Sequence, residues 1–402
     1  MSNQTPLLSS RAINTPASPI RKLSKYANIA ETLGNKVYFL NIGQPDIESP
    51  KEFFDGLELY KNKIVSYEKS EGSTDLRTAW AEFINKTDGL DLSPERLLVT
   101  TGASEALVFT FMVCCDPGSE IIVFDPTYAN YKSFAATSGI NLVPILTTMD
   151  NKFALPKESE IIEKLTANTR AILLCNPNNP TGTVYSRKEI KMLINICNEH
   201  NIFLIVDETY REIVFDKLQP LSVLEIERNN PRLIVVDSLS KRFSLCGARL
   251  GCIISYNEEF VEKTLSLLQA RLASPTIEQF AAAYMLKKIN NKYISNMKNK
   301  FEKRRNALFG ALKNVKGVDS CLPMGAFYSV VKLPVDDVEE FIIFMLTKFN
   351  YKKETIFLAP AEGFYITPNC GKQKARIAAV LEEDKLVRSI EILEAGLRAY
   401  KP

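Results

Sequence analysis

The sequence predicts an α/β protein, with a large domain built on a mostly parallel sheet covered by helices on both faces and a smaller α+β domain after it. Three observations carry this. Between residues 96 and 255, six short apolar runs recur, bounded by polar or turn-forming residues. Stretches with helical spacing lie between several of them. After about residue 290 the rhythm changes to a long Lys/Asn/Arg-rich helical stretch followed by isolated strand-like pieces. Parallel strands are buried on both faces, so they read as continuous apolar runs and not as alternating ones.

Taken in order, residues 1–45 contain Pro and Ser and are too short for a domain; they are expected to form an arm joining the small domain. Residues 46–290 make the large domain. Its expected strands are RLLVTT (96–101), EIIVFD (120–125), RAILLCN (170–176), IFLIVD (202–207), RLIVVDS (232–238) and GCIIS (251–255). Thr74–Lys86, Ser104–Cys115 and Arg187–Glu199 carry helical patterns. Residues 291–402 make the small domain: a helix over Asn291–Lys313, the run GAFYSVV, a helix near Val338–Lys348, ARIAAVL, and a last helix.

Composition narrows the function. Fifty Lys and Arg residues against 47 Asp and Glu leave a formal charge of +3, which gives no grip on nucleic acid or an anionic membrane. Eight scattered cysteines with no CxxC pair read as reduced thiols, and the N-terminus lacks the apolar run of a signal peptide. A cytoplasmic protein is expected. The single histidine, His200, follows a helical pattern and reads as a helix-end residue. Histidine triads and multi-histidine metal centres are thereby excluded, and no metal is expected.

Polar residues stand where the apolar runs stop, the place where parallel sheets bind ligands. Asp207 ends IFLIVD, with Tyr210 three residues on; Asn179 lies in NPNNPTG; Ser238 ends RLIVVDS, three residues before Lys241. Gly102, Ala103 and Ser104 open a helix, where free N–H groups favour an anion. Singly, each reads as a cap or a turn former. Together they supply what pyridoxal 5'-phosphate needs: a lysine for the aldehyde (Lys241), a phosphate cup with Ser238 and Arg249, and an acid for the pyridine nitrogen.

With these residues in place, the chain resembles the class I/II aminotransferases, of the aspartate aminotransferase-like group of fold type I pyridoxal-phosphate enzymes. SLSKRFSLCGARLG resembles the family's lysine signature, and SYEKSEGSTDLR, NPNNPTG and VDETY before it and GAFY after it stand in the family's order. The resemblance implies a seven-stranded sheet in the large domain. It makes Lys241 the Schiff-base lysine, Asp207 the partner of the pyridine nitrogen, and Asn179 and Tyr210 the partners of the phenolate oxygen. Gly102, Ala103, Ser104, Ser238 and Arg249 become the phosphate cup, and Tyr128 the aromatic stacked on the ring. Arg376 matches the clamp on the substrate α-carboxylate, with Asn179 beside it and Gly43 on the loop covering the substrate. Tyr67 matches a tyrosine that crosses a dimer interface to the neighbouring phosphate, and the Asn179–Pro180 bond is expected to be cis.

Two positions depart from some aspartate-specific relatives: Ser104 stands where they carry a lysine, and Tyr128 where they carry a tryptophan. Arg271 is the candidate reader of the substrate side chain, with an interface salt bridge as the alternative. The activity implied is ping-pong transfer of an amino group from an L-amino acid, aspartate slightly ahead, to a 2-oxo acid such as 2-oxoglutarate, by a homodimer with shared sites. The alternatives are a carbon–sulfur β-lyase on the same cofactor and, more remotely, a non-catalytic effector-sensing module.

Overall fold

The computed structural model describes residues 7–401. In chain order its strands are β1 (Lys36–Phe39), β2 (Leu97–Thr100), β3 (Glu120–Asp125), β4 (Asn141–Leu146), β5 (Thr169–Cys175), β6 (Phe203–Asp207) and β7 (Leu233–Ser238). They continue with β8 (Gly251–Ser255), β9 (Asp319–Ser320), β10 (Tyr328–Lys332), β11 (Glu354–Phe357), β12 (Ala359–Pro360) and β13 (Lys374–Ala378). The large sheet has seven strands in the order β2-β8-β7-β6-β5-β3-β4. Only β8 runs antiparallel to its neighbours.

Alternate residues of each inner strand feed opposite layers. Leu204 and Val206 face one apolar core with Ile172, Leu174, Leu233 and Val235. Ile205 faces the other with Ala171, Leu173, Ile234 and Val236. Two covered faces are why these strands are apolar throughout. β4 is the exception: it is a half-exposed edge strand that contains Pro144. Proline is tolerated at an edge, where a missing N–H breaks no ladder. The seventh strand, NLVPIL, is an apolar run, but its internal proline reads against a strand anywhere except at an edge.

Expected helices appear within a residue or two of their predicted ends: Thr74–Asp88, Ala103–Cys114 and Arg187–Glu199. The last begins with a reciprocal Ser186–Glu189 capping box, and His200 caps its C-terminus.

In the small domain, β10 pairs antiparallel with β13, flanked by β9 and β12. The helix Ser24–Thr32 and β1 attach the arm to this half: β1 pairs parallel with β11, and Leu23, Ala27 and Leu40 share a core with Phe341, Ile356 and Leu393. The helix Asn291–Leu312 serves two cores. Met297 and Phe301 pack with Tyr210 and Phe327, while Leu308 and Leu312 pack into the small-domain core. Among the described residues no helix is long and apolar enough to cross a membrane.

Candidate active site

A cavity of about 740 Å³ opens at the carboxyl ends of β5, β6 and β7, between the two domains. Of the residues singled out in the sequence, Gly43, Ala103, Ser104, Tyr128, Asn179, Asp207, Tyr210, Ser238, Lys241, Arg249 and Arg376 all line it. Gly102 stands just behind Arg249. Tyr67 and Arg271 do not line the cavity.

Lys241 lies on a four-residue helix, Leu239–Arg242, that follows β7 directly. Ser238 starts that helix by accepting the Ser240 N–H at 3.1 Å. The Lys241 Nζ donates to the Gly43 carbonyl at 2.8 Å, with the Cys246 Sγ 3.6 Å away. Gly43 must be glycine, because a Cβ there would fall 1.5 Å from the Tyr328 hydroxyl oxygen.

A helix of four residues cannot hold itself. Its last residue, Arg242, is anchored beneath the site to Asp237 and, at 2.7 Å, to Glu212. Glu212 in turn meets Arg211, which also binds Glu208 at 3.0 Å and Asp88 at 3.2 Å. Four carboxylates thus share two guanidinium groups, all almost fully buried. Burial pushes the Glu208 carboxyl up to about 7, against the pull of Arg211. The cluster ties the segment after β6 to the segment after β7.

At the end of β6, Asp207 accepts a hydrogen bond from the Tyr131 hydroxyl at 2.7 Å and from the Thr209 N–H at 3.1 Å. Burial pushes its carboxyl pKa up, and hydrogen bonds from Thr209 and Tyr131 and the charge of Lys241 pull it back. Tyr131 was not singled out in the sequence; the signal was its place one helical turn after Tyr128 in DPTYANY. Tyr210 meets Tyr328, another residue not singled out, hydroxyl to hydroxyl at 3.0 Å.

The opposite end suits a phosphate. Gly102 has a positive φ of 78° and precedes the helix Ala103–Cys114, whose free N–H groups face the cavity. A Cβ on Gly102 would fall 2.3 Å from the Arg249 Nη2. Arg249 itself donates to the carbonyls of Cys246 and Thr101, at 3.0 and 3.2 Å, and has no acid partner among the described residues.

Arg376, on β13, is 1% exposed. It donates to the Asn179 side-chain oxygen at 3.1 Å and the Asn41 carbonyl at 2.5 Å, between the rings of Tyr328 and Phe364. Its Nε has no partner, and it meets no carboxylate among the described residues. The Asn179–Pro180 bond beside it is cis as expected; Asp125–Pro126 and Asn176–Pro177 are cis as well.

Arg271 lies outside the cavity of its own chain and makes a salt bridge. Its Nε pairs with Glu105 at 3.2 Å and its Nη2 donates to the Val99 carbonyl at 3.1 Å, away from the cavity. The charge was legible in the sequence, but its direction was not. Tyr67 is 82% exposed beside Ile64 and Phe280, in a separate hollow.

An unpaired arginine beside a helix start, a buried carboxylate and one lysine fit pyridoxal 5'-phosphate end to end, and define an enzyme of amino-group chemistry. Comparison with known proteins agrees. The family model "Aminotransferase class I and II" matches residues 36–392, and the chain belongs to that family of pyridoxal-phosphate-dependent transaminases. An aspartate aminotransferase of Thermotoga maritima is 32% identical over 336 residues, 83% of this chain and 87% of that protein. A crystal structure of the Thermotoga maritima aspartate aminotransferase superposes with a TM-score of 0.88 at 28% identity, covering 97% of this chain and all of that one. An alanine aminotransferase from Pyrococcus furiosus gives 0.89 at 28% identity, over 98% of this chain and all of that one.

Proposed function

We propose that the chain is an aspartate-preferring aminotransferase, acting as a cytoplasmic homodimer and passing the amino group to a 2-oxo acid such as 2-oxoglutarate. The observation that supports it most is Arg376. A buried guanidinium without a counter-charge is costly, and an amino acid's α-carboxylate satisfies it bidentately. Relatives named aspartate aminotransferase supply the preference for aspartate.

When bound, pyridoxal 5'-phosphate supplies an aldehyde for amino groups and a ring that takes up the electrons left at Cα. Lys241 would hold it covalently at rest, with Ser238, Arg249 and the N–H groups of Gly102, Ala103 and Ser104 on its phosphate. Asp207 would keep a proton on the ring nitrogen, Asn179 and Tyr210 would bind the ring oxygen, and Tyr128 would cover one face. The Lys241 Nζ, when not holding the cofactor, would take the proton from the substrate Cα. The Gly43 carbonyl, 2.8 Å from Nζ, keeps that amine directed into the cavity. Arg376 and Asn179 orient the α-carboxylate and so fix which Cα bond faces the lysine.

Tyr67, Ile64 and Val65 are 82%, 77% and 57% exposed on one loop, an apolar surface that favours a second copy of the chain. All eight cysteines are unpaired, which favours a reducing compartment. The test of the activity is a panel of amino acids incubated with 2-oxoglutarate. Aspartate should be consumed with stoichiometric glutamate formation. Pyruvate and ammonia released without an oxo-acid acceptor would instead mean an elimination enzyme.

A further inference from the structure

The cations around the cavity outnumber its acids. Arg21, Lys241, Arg249 and Arg376 line it against a single carboxylate, Asp207. On the transaminase reading, three of the four have assigned partners: Lys241 the aldehyde, Arg249 the phosphate and Arg376 the α-carboxylate. Arg21 is left over. It makes no salt bridge and no side-chain hydrogen bond among the described residues, whereas its neighbour Lys22 is paired with Glu339.

The backbone under Arg21 is fixed to the substrate end of the site. The Asn41 side chain donates to the Ile20 carbonyl at 2.9 Å, and the Asn41 carbonyl accepts from Arg376. Ile20 packs on Phe364, whose ring lies 4.8 Å from the Arg376 guanidinium. Pro19 fills the space that a side chain on Gly363 would need. Arg21 therefore stands at the mouth of the cavity on an anchored segment, while Arg376 stands buried inside it. Neither Ser104 nor Arg271 brings a charge to that mouth, Ser104 being neutral and Arg271 being tied to Glu105.

We infer that Arg21 reads the substrate side chain and selects one that ends in a carboxylate. A four- or five-carbon dicarboxylic amino acid then spans two guanidinium groups, its α-carboxylate on Arg376 and its distal carboxylate on Arg21. The inference rests on the transaminase reading for the direction in which the substrate lies. A charge-assisted pair of this kind is worth roughly a 10–100-fold preference.

The test uses the pyridoxal-phosphate-loaded enzyme with Arg21→Gln and Arg21→Lys. Two quantities are measured: the ratio of single-turnover efficiency on L-aspartate to that on L-alanine, and calorimetric affinity for succinate against butyrate. In Arg21→Gln both the aspartate-to-alanine ratio and the succinate-to-butyrate ratio should fall by about 10–100-fold, with partial recovery in Arg21→Lys. Unchanged ratios in the Gln variant, or a wild-type enzyme that binds succinate no more tightly than butyrate, would overturn the role of Arg21. A wild-type enzyme that binds succinate through Arg21 but transaminates no dicarboxylic amino acid would overturn the aspartate reading and leave Arg21 as an acid-binding residue. The two failures are thus distinct.

Discussion

At Asp207 two effects oppose each other. Burial favours the neutral acid, while hydrogen bonds from Thr209 and Tyr131 favour the carboxylate. Tyr131→Phe removes a 2.7 Å bond to the charged form, so the carboxyl pKa rises further. A proton held on the cofactor ring needs the carboxylate, so the acid limb of the kcat/KM profile should move to higher pH. The alkaline side should not move. A limb that stays in place would mean Tyr131 only fills space. Asp207 itself was legible in the sequence, because a charged residue closing an apolar strand must meet either a cap or a ligand. Tyr131 was not, since an aromatic on a helix reads as core. Arg21 was hidden for another reason: it lies in an arm with no periodicity, and only the fold brings that arm to the cavity.

The short helix Leu239–Arg242 depends on the charges beneath it, and there Glu208 gives a measurable handle. Its folded-state pKa, about 7, lies above the ordinary 4.5, so the folded protein keeps a proton that the unfolded chain has released. The stability contributed by this proton is complete below about pH 4.5 and is lost as pH rises through 7, in total roughly 3 kcal/mol. Glu208→Gln mimics the protonated form and carries no such slope. Its stability relative to wild type should therefore climb between pH 5 and pH 8 in urea denaturation. A flat difference would mean Glu208 stays ionised against Arg211 throughout. None of this cluster could be read beforehand, because VDETYREI and SLSKRF show acids and bases without showing that they share one pocket. The central strands and helices were legible from their periodicity. β4 was not, because Pro144 inside NLVPIL reads against a strand, and only its place at the sheet edge admits it.

For the whole molecule the open quantity is the partner. If Tyr67 reaches the neighbouring subunit's site, mixing Tyr67→Phe chains with inactive Lys241→Ala chains creates dimers with one intact site and one carrying both lesions. Activity should rise above that of either parent variant, toward half of wild type. No recovery, with mixed dimers confirmed by mass, would mean Tyr67 serves its own subunit. Within one chain, the helix Asn291–Leu312 has a consequence for how such proteins can be rearranged. Its inner turns, with Met297 and Phe301, belong to the core around Tyr210, and its outer turns, with Leu308 and Leu312, to the core of the small domain. A crossover placed at its start, where the sequence changes character, would hand the incoming half a helix whose first turns fit no surface in the new host. Exchange of the small domain between relatives therefore has to carry the matching lining of Tyr210, Ile213 and Phe215 with it. The visible seam in the sequence is not a place where the molecule comes apart.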